Sequence, residues 1–108
     1  MADSRPDRLG HAQVWWADLD KVRPVVVLTR SRVASLLDRV LVAPVTTVVR
    51  DLPTEVALGQ AEGVREGSVA NLDNTQLIPV AALLRRAGRI EPSRWSEFCT
   101  AMGSVMAC

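Results

Sequence analysis

The stretch Ala12–Thr29, AQVWWADLDKVRPVVVLT, decides the fold predicted for this 108-residue chain. Its two ends, 12–19 and 23–29, are rich in aromatic and β-branched side chains, and only DKV (20–22) separates them. Such residues favour strands, and two strands with so short a connection form a hairpin. The sequence therefore predicts an antiparallel hairpin at the start of a β-rich domain.

The residues beyond the hairpin continue the strand pattern with helical interruptions. Four further strands are predicted, over residues 39–47, 54–58, 68–72 and 75–78. Short helices are predicted over 31–38 and from Pro79 to Arg86, and three glycines at 59, 63 and 67 predict an exposed loop. This alternation in about 100 residues indicates an α+β fold, a small and strongly curved antiparallel barrel.

The end of the chain has helical periodicity. Pro92 is suited to a helix start, and apolar side chains then recur on one face, at Trp95, Phe98, Cys99, Met102, Val105 and Met106. We expect this helix to cap the sheet and to bury Cys99 as a core thiol.

Composition limits the function classes. With 48% hydrophobic and 23% charged residues the chain has the make-up of a single packed domain, and 13 basic against 12 acidic residues give no overall nucleic-acid signature. Apolar runs stop at four residues and the N-terminus has no apolar leader, so a cytoplasmic protein without a membrane segment is expected. Two cysteines and one histidine suggest neither a disulfide framework nor a metal site. Residues 1–10 are expected to be a flexible lead-in, and 11–108 the folded domain.

Five segments, taken in order, resemble the MazF/PemK family of toxin endoribonucleases. They are VWWADL (14–19), RPVVVL (23–28), VAPVTT (42–47), LPTEV (52–56) and, after SVA (68–70), DNTQLI (73–78). They resemble the family's first strand and its RPxVVL, VAPxTS, LPTxV and SVAxxDxxxxI patterns. Five such matches in the right order are far more specific than any one alone.

The resemblance implies an SH3-like barrel of the MazF/CcdB type that forms a homodimer with an RNA groove across the two subunits. Family members cut single-stranded RNA sequence-specifically without a metal or cofactor, and a labile antitoxin keeps them inactive. A toxin of a type II toxin-antitoxin system, with a cognate antitoxin as partner, is therefore implied here. Two alternatives remain open: a toxin of the same fold that poisons DNA gyrase, and a protein-binding barrel that has lost catalysis.

Metal-independent RNA cleavage uses the substrate 2′-hydroxyl as nucleophile, so the enzyme must stabilise a doubly charged phosphorane with hydrogen-bond donors. Arg23 offers a planar set of donors, and Pro24 holds it in an extended conformation. Thr46 is the hydroxyl that the resemblance places beside this arginine. The plainer alternatives are a solvated arginine at a hairpin edge and a threonine favoured by β-propensity.

A general base is harder to identify, because arginine is a poor proton acceptor at neutral pH. Many family members carry a longer, glycine-rich loop with an acidic residue between the first two strands, whereas this chain has three residues there. Asp20 or Asp18 could supply a carboxylate, although exposed carboxylates are usually only solubilising. Thr47 beside the predicted site is a further supporting candidate, with a structural role as its alternative. His11 is expected to be a bystander.

Base recognition is predicted for Asn71, Asp73, Asn74 and Gln76, in the segment with which the family contacts its target. Amide side chains can read the edges of unstacked bases, and Asn74 is the best-aligned candidate. Asp73 and Asn74 could equally form an ordinary hairpin turn. Adjacent Trp15 and Trp16 should face opposite sides of their strand and serve packing.

The charge is unevenly divided along the chain. Residues 1–50 hold eight basic and five acidic side chains, a net of +3, and residues 51–108 hold five and seven, a net of −2. A two-fold dimer would bring the two positive halves together along one groove.

Overall fold

The computed structural model describes residues 9–30 and 38–106, which contain seven antiparallel strands. They are β1 (Gln13–Asp18), β2 (Val22–Val27), β3 (Arg39–Thr46), β4 (Glu55–Leu58), β5 (Ser68–Asn71), β6 (Gln76–Pro79) and β7 (Leu83–Arg89). The predicted hairpin is confirmed as β1 and β2, paired from Val14 opposite Val26 to Asp18 opposite Val22. The four later predicted strands are confirmed as β3 to β6.

The strands follow the order β4-β5-β3-β2-β1-β7, and β6 also pairs with β3. β3 joins the two parts of the sheet, because β6 pairs with its residues 39–42 and β5 with Val45 and Thr46. Core side chains lie on both faces: Val26 belongs to one buried cluster, and its neighbours Val25 and Val27 belong to the other. Alternation along a strand produces this division.

A C-terminal helix, α1 (Trp95–Val105), covers the first of these clusters after a 3-10 turn at Pro92–Arg94. The helix is confirmed, and with it the α+β fold. Its buried residues are Phe98 and Ala101, whereas Cys99 is exposed. The prediction of a core thiol was wrong, since Ala101, three residues after Phe98, fills the inward face that the apolar pattern had assigned to larger side chains.

The helix predicted from Pro79 to Arg86 was also wrong. Residues 80–82 form a 3-10 turn, and β7 then pairs with β1 from Ala17 opposite Leu83 to Gln13 opposite Arg89. Leucine, alanine and arginine favour helices locally, but pairing with a strand about 70 residues away outweighs that preference.

The segment between Gly59 and Gly67 is not the wholly exposed loop that its glycines predicted. Residues 60–62 form a 3-10 turn, and both Glu62 and Val64 are buried. Gly63 has a φ of +85°, in the left-handed region, and a Cβ there would lie 2.0 Å from the Ala87 carbonyl oxygen. Glycine therefore lets this turn pack directly against β7.

The helix predicted over 31–38 lies, apart from Asp38, outside the described residues, as do residues 1–8 of the predicted lead-in. Of the helices in the described part of the chain, none is long and apolar enough to cross a membrane.

Candidate functional site

Arg23 and Thr46 come from neighbouring strands, near the hairpin end of β2 and at the end of β3. β2 and β3 pair with Val25 opposite Pro44, and continuing that register by two residues sets Arg23 opposite Thr46. Residues two apart on a strand share a face. Both residues line one cavity of about 270 Å³.

This cavity, called the donor cavity below, is surrounded mainly by hydrogen-bond donors. Its lining residues are Lys21, Arg23, Pro44, Thr46, Val48, Arg50, Asn71 and Asn74. Three of them carry a positive charge and none carries a carboxylate. A phosphate, which offers only acceptors and negative charge, matches such a lining.

The Arg23 guanidinium has few protein partners. Its Nη2 lies 3.3 Å from Asp20 Oδ2, and the side chain of Asp20 is 75% exposed. Its Nε is buried and has no hydrogen-bond partner among the described residues. A buried donor without a partner costs about 1–3 kcal/mol. Within the described residues only one hydrogen bond uses the Arg23 guanidinium, and the residue lines the donor cavity.

Thr46 has an oriented hydroxyl. Its Oγ1 accepts the backbone N–H of Val48 at 3.1 Å, which leaves the hydroxyl proton to be donated elsewhere. Thr47 is exposed, and Asp18 is exposed at the end of β1; neither lines the donor cavity or the cavity beside it. The structure thus places Thr46 beside Arg23 at the donor cavity, whereas Asp18 and Thr47 lie outside both cavities.

A second cavity of about 530 Å³, called the mixed cavity below, shares Arg23, Pro44 and Asn74 with the first. Its other lining residues are Leu19, Asp20, Asp73, Thr75 and Gln76. The four predicted recognition residues are therefore divided: Asn71 lines the donor cavity, Asp73 and Gln76 line the mixed cavity, and Asn74 lines both.

Hydrogen bonds fix the segment that carries these residues. The Asp73 backbone N–H donates to Asn71 Oδ1 at 3.0 Å, and Thr54 Oγ1 donates to Asp73 Oδ2 at 2.5 Å. Asn71 is only 6% exposed, and its Nδ2 has no acceptor among the described residues. The Asn71 amide thus offers the donor cavity a donor in a fixed orientation.

The turn between β5 and β6 is not a hairpin turn. β5 pairs with β3 and β4, β6 pairs with β3, and a 3-10 turn, Leu72–Asn74, joins the two strands. Asp73 and Asn74 therefore do lie in a turn between two strands, as their structural alternative predicted, but the prediction that this turn is a hairpin was wrong.

The sequence reasoning missed two cations of the donor cavity, Lys21 and Arg50. Lys21 lies just before β2 and two residues before Arg23; two-residue spacing puts side chains on one face of an extended chain, and this signal could have identified it. Arg50 lies in the loop after β3, and no periodic pattern predicts where a loop residue points.

The aromatic residues and His11 lie away from these cavities. Trp15 packs against the second core cluster, whereas Trp16 lies under Arg85, 5.3 Å from its ring centre, so their predicted opposite orientation is confirmed. His11 packs edge-on against Trp95 and lines a separate cavity of about 430 Å³. Burial, and secondarily Arg30, lowers the pKa of His11. Its role as a bystander stays a prediction.

Comparisons with known proteins agree with this fold. Endoribonuclease MazF3 of Mycobacterium tuberculosis is 46% identical over 89 residues, which cover 82% of this chain and 86% of the relative. The solved structure of the Mycobacterium tuberculosis toxin MazF-mt6 superposes with a TM-score of 0.83 at 43% identity, over 86% of this chain and 94% of that one. A mycobacterial endoribonuclease in complex with its cognate antitoxin shares the fold, with a TM-score of 0.81 at 22% identity over 90% of this chain and 93% of that one.

The family profile covers nearly all of the described chain. The profile of the PemK-like, MazF-like toxins matches residues 11–106, which include every strand, the helix and both cavities at Arg23. The predicted resemblance is confirmed, and with it the barrel-like fold. This chain belongs to the PemK-like, MazF-like family of toxins of type II toxin-antitoxin systems.

Proposed function

We propose that this chain is a toxin endoribonuclease that cleaves single-stranded RNA without a metal ion, with Arg23 and Thr46 as its catalytic residues. Family membership and the endoribonuclease relatives support the activity. The observation that carries the chemistry is the donor cavity, which Arg23 and Thr46 line together and in which none of the lining residues carries a carboxylate.

In the proposed reaction the substrate 2′-oxygen attacks the adjacent phosphorus. The bond from this oxygen to phosphorus forms, the bond from phosphorus to the 5′-oxygen breaks, and the products carry a 2′,3′-cyclic phosphate and a 5′-hydroxyl. One proton leaves the 2′-hydroxyl and one is delivered to the 5′-oxygen. Negative charge accumulates on the phosphorane oxygens, so donors that are already in place lower the barrier.

Arg23 and Thr46 act on these oxygens. The guanidinium donates from two nitrogens in one plane, which matches two phosphate oxygens, and the Thr46 hydroxyl donates to the remaining side. Lys21 also lines this cavity and adds positive charge to it. Since the donors are held by two paired strands, little reorganisation is needed when substrate binds.

Asp20 is proposed as the supporting carboxylate that accepts the 2′-hydroxyl proton. It lines the mixed cavity and lies 3.3 Å from Arg23, whereas Asp18 lines neither cavity. Asp73 also lines the mixed cavity, but its Oδ2 accepts from Thr54. We propose Asp73 as the residue that holds Asn71 in place.

The bases next to the cleaved bond are proposed to lie in the mixed cavity and against Asn71. Asn74 and Gln76 carry amides that both donate and accept, which suits the edge of an unstacked base. Asn71 is proposed to present its Nδ2 as a donor, because its Oδ1 already accepts the Asp73 N–H, so it would favour an acceptor on the substrate.

The active form is proposed to be a cytoplasmic homodimer that an antitoxin inhibits. The net charge of +3 on residues 1–50, which carry Lys21, Arg23 and Arg50, favours a groove formed where two such halves meet. An acidic, partly disordered antitoxin segment would fit that groove. The antitoxin complex of a mycobacterial endoribonuclease with this fold supports such a partner.

The experiment is cleavage of a long single-stranded RNA in the presence of EDTA, followed by chemical mapping of the product ends. A second substrate carries a 2′-deoxy sugar at the mapped position. We expect cleavage of the first, with the stated ends, and none of the second. Intact RNA, or equal cleavage of the 2′-deoxy substrate, would refute the proposed chemistry. Inhibition of DNA gyrase without RNA cleavage would favour the gyrase alternative.

A further inference from the structure

We infer that Glu55 is a positioning residue of the proposed site, which holds the loop after β3 so that Arg50 reaches the donor cavity. The inference rests on the proposed function, because it assigns Arg50 to the binding of the substrate phosphates. Neither residue is among the candidates that the sequence predicts.

Glu55 positions the loop because its carboxylate accepts hydrogen bonds from backbone amides. The N–H of Arg50 donates to both oxygens of Glu55, at 3.1 and 3.2 Å, and the N–H of Leu52 donates to Oε1 at 3.2 Å. The Glu55 N–H donates in turn to the Leu52 carbonyl oxygen at 3.0 Å. The first residue of β4 thus closes the loop on itself.

The backbone between these two amides has an unusual conformation. Asp51 has a φ of 57°, in the left-handed region that non-glycine residues rarely adopt. A left-handed residue between two amides lets them converge on one anion. In this loop the anion is the Glu55 carboxylate, and without it the converging N–H dipoles would favour opening of the turn.

Packing gives the loop little other support. Val48, Val49 and Leu52 are 62%, 46% and 39% exposed, and no residue of 47–53 belongs to a strand. The buried residue at this end of the loop is Thr54, at 6% exposed, four residues after Arg50. The position of Arg50 therefore depends on the Glu55 hydrogen bonds more than on burial.

The side chain of Arg50 remains available to bind substrate, because Glu55 does not pair with it. Glu55 contacts its backbone, and no ion pair between the two side chains is present among the described residues. Arg50 lines the donor cavity with Lys21 and Arg23, so its guanidinium adds a third positive charge there. An exposed arginine that contacts phosphate contributes mainly to binding, and the contact is sensitive to salt.

The test is a double-mutant cycle of Arg50→Ala and Glu55→Ala. Two quantities are measured: kcat/KM for RNA cleavage, and the dissociation constant of the 2′-deoxy RNA analogue at several salt concentrations. We expect Arg50→Ala to weaken binding about tenfold, the value of one charge-assisted contact, and to lower the salt slope by about one. Glu55→Ala should have a similar effect, mainly on KM, and should add nothing in the Arg50→Ala background.

Two further variants separate positioning from general loss of stability. Glu66 also accepts a loop amide, from Gln60 at 3.0 Å, but lines neither cavity, so Glu66→Ala is the matched control and should bind RNA as wild type does. Glu55→Gln keeps one amide oxygen as acceptor and should restore part of the affinity.

The inference would be overturned if the effects of Arg50→Ala and Glu55→Ala on the dissociation constant of the analogue were additive. It would also be overturned if Glu55→Ala bound the analogue as tightly as wild type. An equal loss in Glu66→Ala would overturn it as well. Binding of the analogue is measured apart from cleavage, so a protein that binds in the expected pattern without cutting would contradict the proposed reaction alone.

Discussion

Arg23 and Arg94 are similarly exposed, at 23% and 27% of their side-chain surface, yet their surroundings differ greatly. Arg94 donates to Glu62 at 3.0 Å, to both oxygens of Glu97 at 2.8 and 2.9 Å, and to the Ala57 carbonyl oxygen at 2.7 Å. Arg23 has one contact of 3.3 Å with an exposed carboxylate, and its buried Nε has no partner among the described residues.

The difference separates a structural arginine from a functional one. Arg94 joins the 3-10 turn before α1 to the buried turn at Glu62, 32 residues earlier in the chain, and its donors are used within the protein. Arg23 keeps donors for something outside the protein. An arginine with satisfied donors should contribute to folding, and one with unsatisfied donors should contribute to binding and catalysis.

The largest expected effect is the loss of RNA cleavage in Arg23→Ala. Arg23 supplies several charge-assisted donors to the developing oxyanion, and their loss should lower kcat by about 100- to 1000-fold. The free energy of unfolding should stay the same or rise by up to about 1 kcal/mol, because a buried unpartnered donor is removed. Single-turnover cleavage and urea unfolding measure the two quantities. Arg23→Lys, which keeps the charge without the planar set of donors, should fall between wild type and alanine.

The control for lost charge is Arg65→Ala, since Arg65 is exposed and lines neither cavity. It should cleave at the wild-type rate. If Arg23→Ala unfolds the protein, or if Arg65→Ala loses as much activity, the division between the two arginines does not hold.

The next effect is the destabilisation of Arg94→Ala. Glu62 is almost fully buried, and removing its partner leaves a buried carboxylate without its counter-charge, at a cost of about 3 kcal/mol. Urea unfolding should show this loss, while cleavage per folded molecule is unchanged. The matched control is Arg89→Ala: Arg89 is 53% exposed, 3.8 Å from an exposed Glu91, and its loss should change stability by less than about 0.5 kcal/mol. Equal stability of the two variants would contradict the structural role.

The two arginines also show what can be predicted from the sequence. Arg23 lies in a run of β-branched residues after a short connection, so its strand, its place near the hairpin end of that strand and its link to Thr46 follow from local pattern and resemblance. The partners of Arg94 do not, because the buried Glu62 is far away in the chain and its glycine-rich surroundings are typical of an exposed loop. β7 was missed for the same reason: its strand conformation comes from pairing with β1.

The donor cavity shows the same limit at a smaller scale. Lys21 could have been found from its spacing to Arg23, whereas Arg50 depends on a loop whose shape is set by Glu55 and by the left-handed Asp51. Side-chain to backbone hydrogen bonds of this kind have no periodic signature. Arg23 and Thr46 were predictable because strands carry them, and Asp20, Asp73 and Asn74 because they lie in or beside a segment of the resemblance. The position of Arg50, in a loop outside those segments, was not predictable.

A smaller effect is expected for Thr46→Val, which keeps the shape and β-propensity of the side chain but removes its hydroxyl. One neutral donor to a phosphate oxygen contributes about 1 kcal/mol, so kcat should fall about five- to tenfold. The loss of the Val48 N–H acceptor should lower stability only slightly, because that bond is exposed. Thr47→Val, at an exposed position outside both cavities, should cleave as wild type does. A greater loss in Thr47→Val would reverse the assignment of the two threonines.

The smallest expected effect is a pH dependence of stability at the structural arginine. The hydrogen bond from Arg94, with its positive charge, lowers the pKa of Glu97 below the usual 4.5, although partial burial opposes this. A carboxyl whose pKa is lower in the folded state stabilises the protein above its unfolded pKa, and the contribution is lost as the pH falls through the folded value. Wild type should therefore exceed Glu97→Gln in free energy of unfolding at pH 7, by less than about 0.5 kcal/mol because the pair is half exposed and screened. Below pH 4.5 the difference should shrink towards zero. Asp20→Asn removes the weak partner of Arg23, and its free energy of unfolding at pH 7 should equal that of wild type. If Asp20→Asn were instead destabilised as much as Glu97→Gln, the two arginines would be anchored alike.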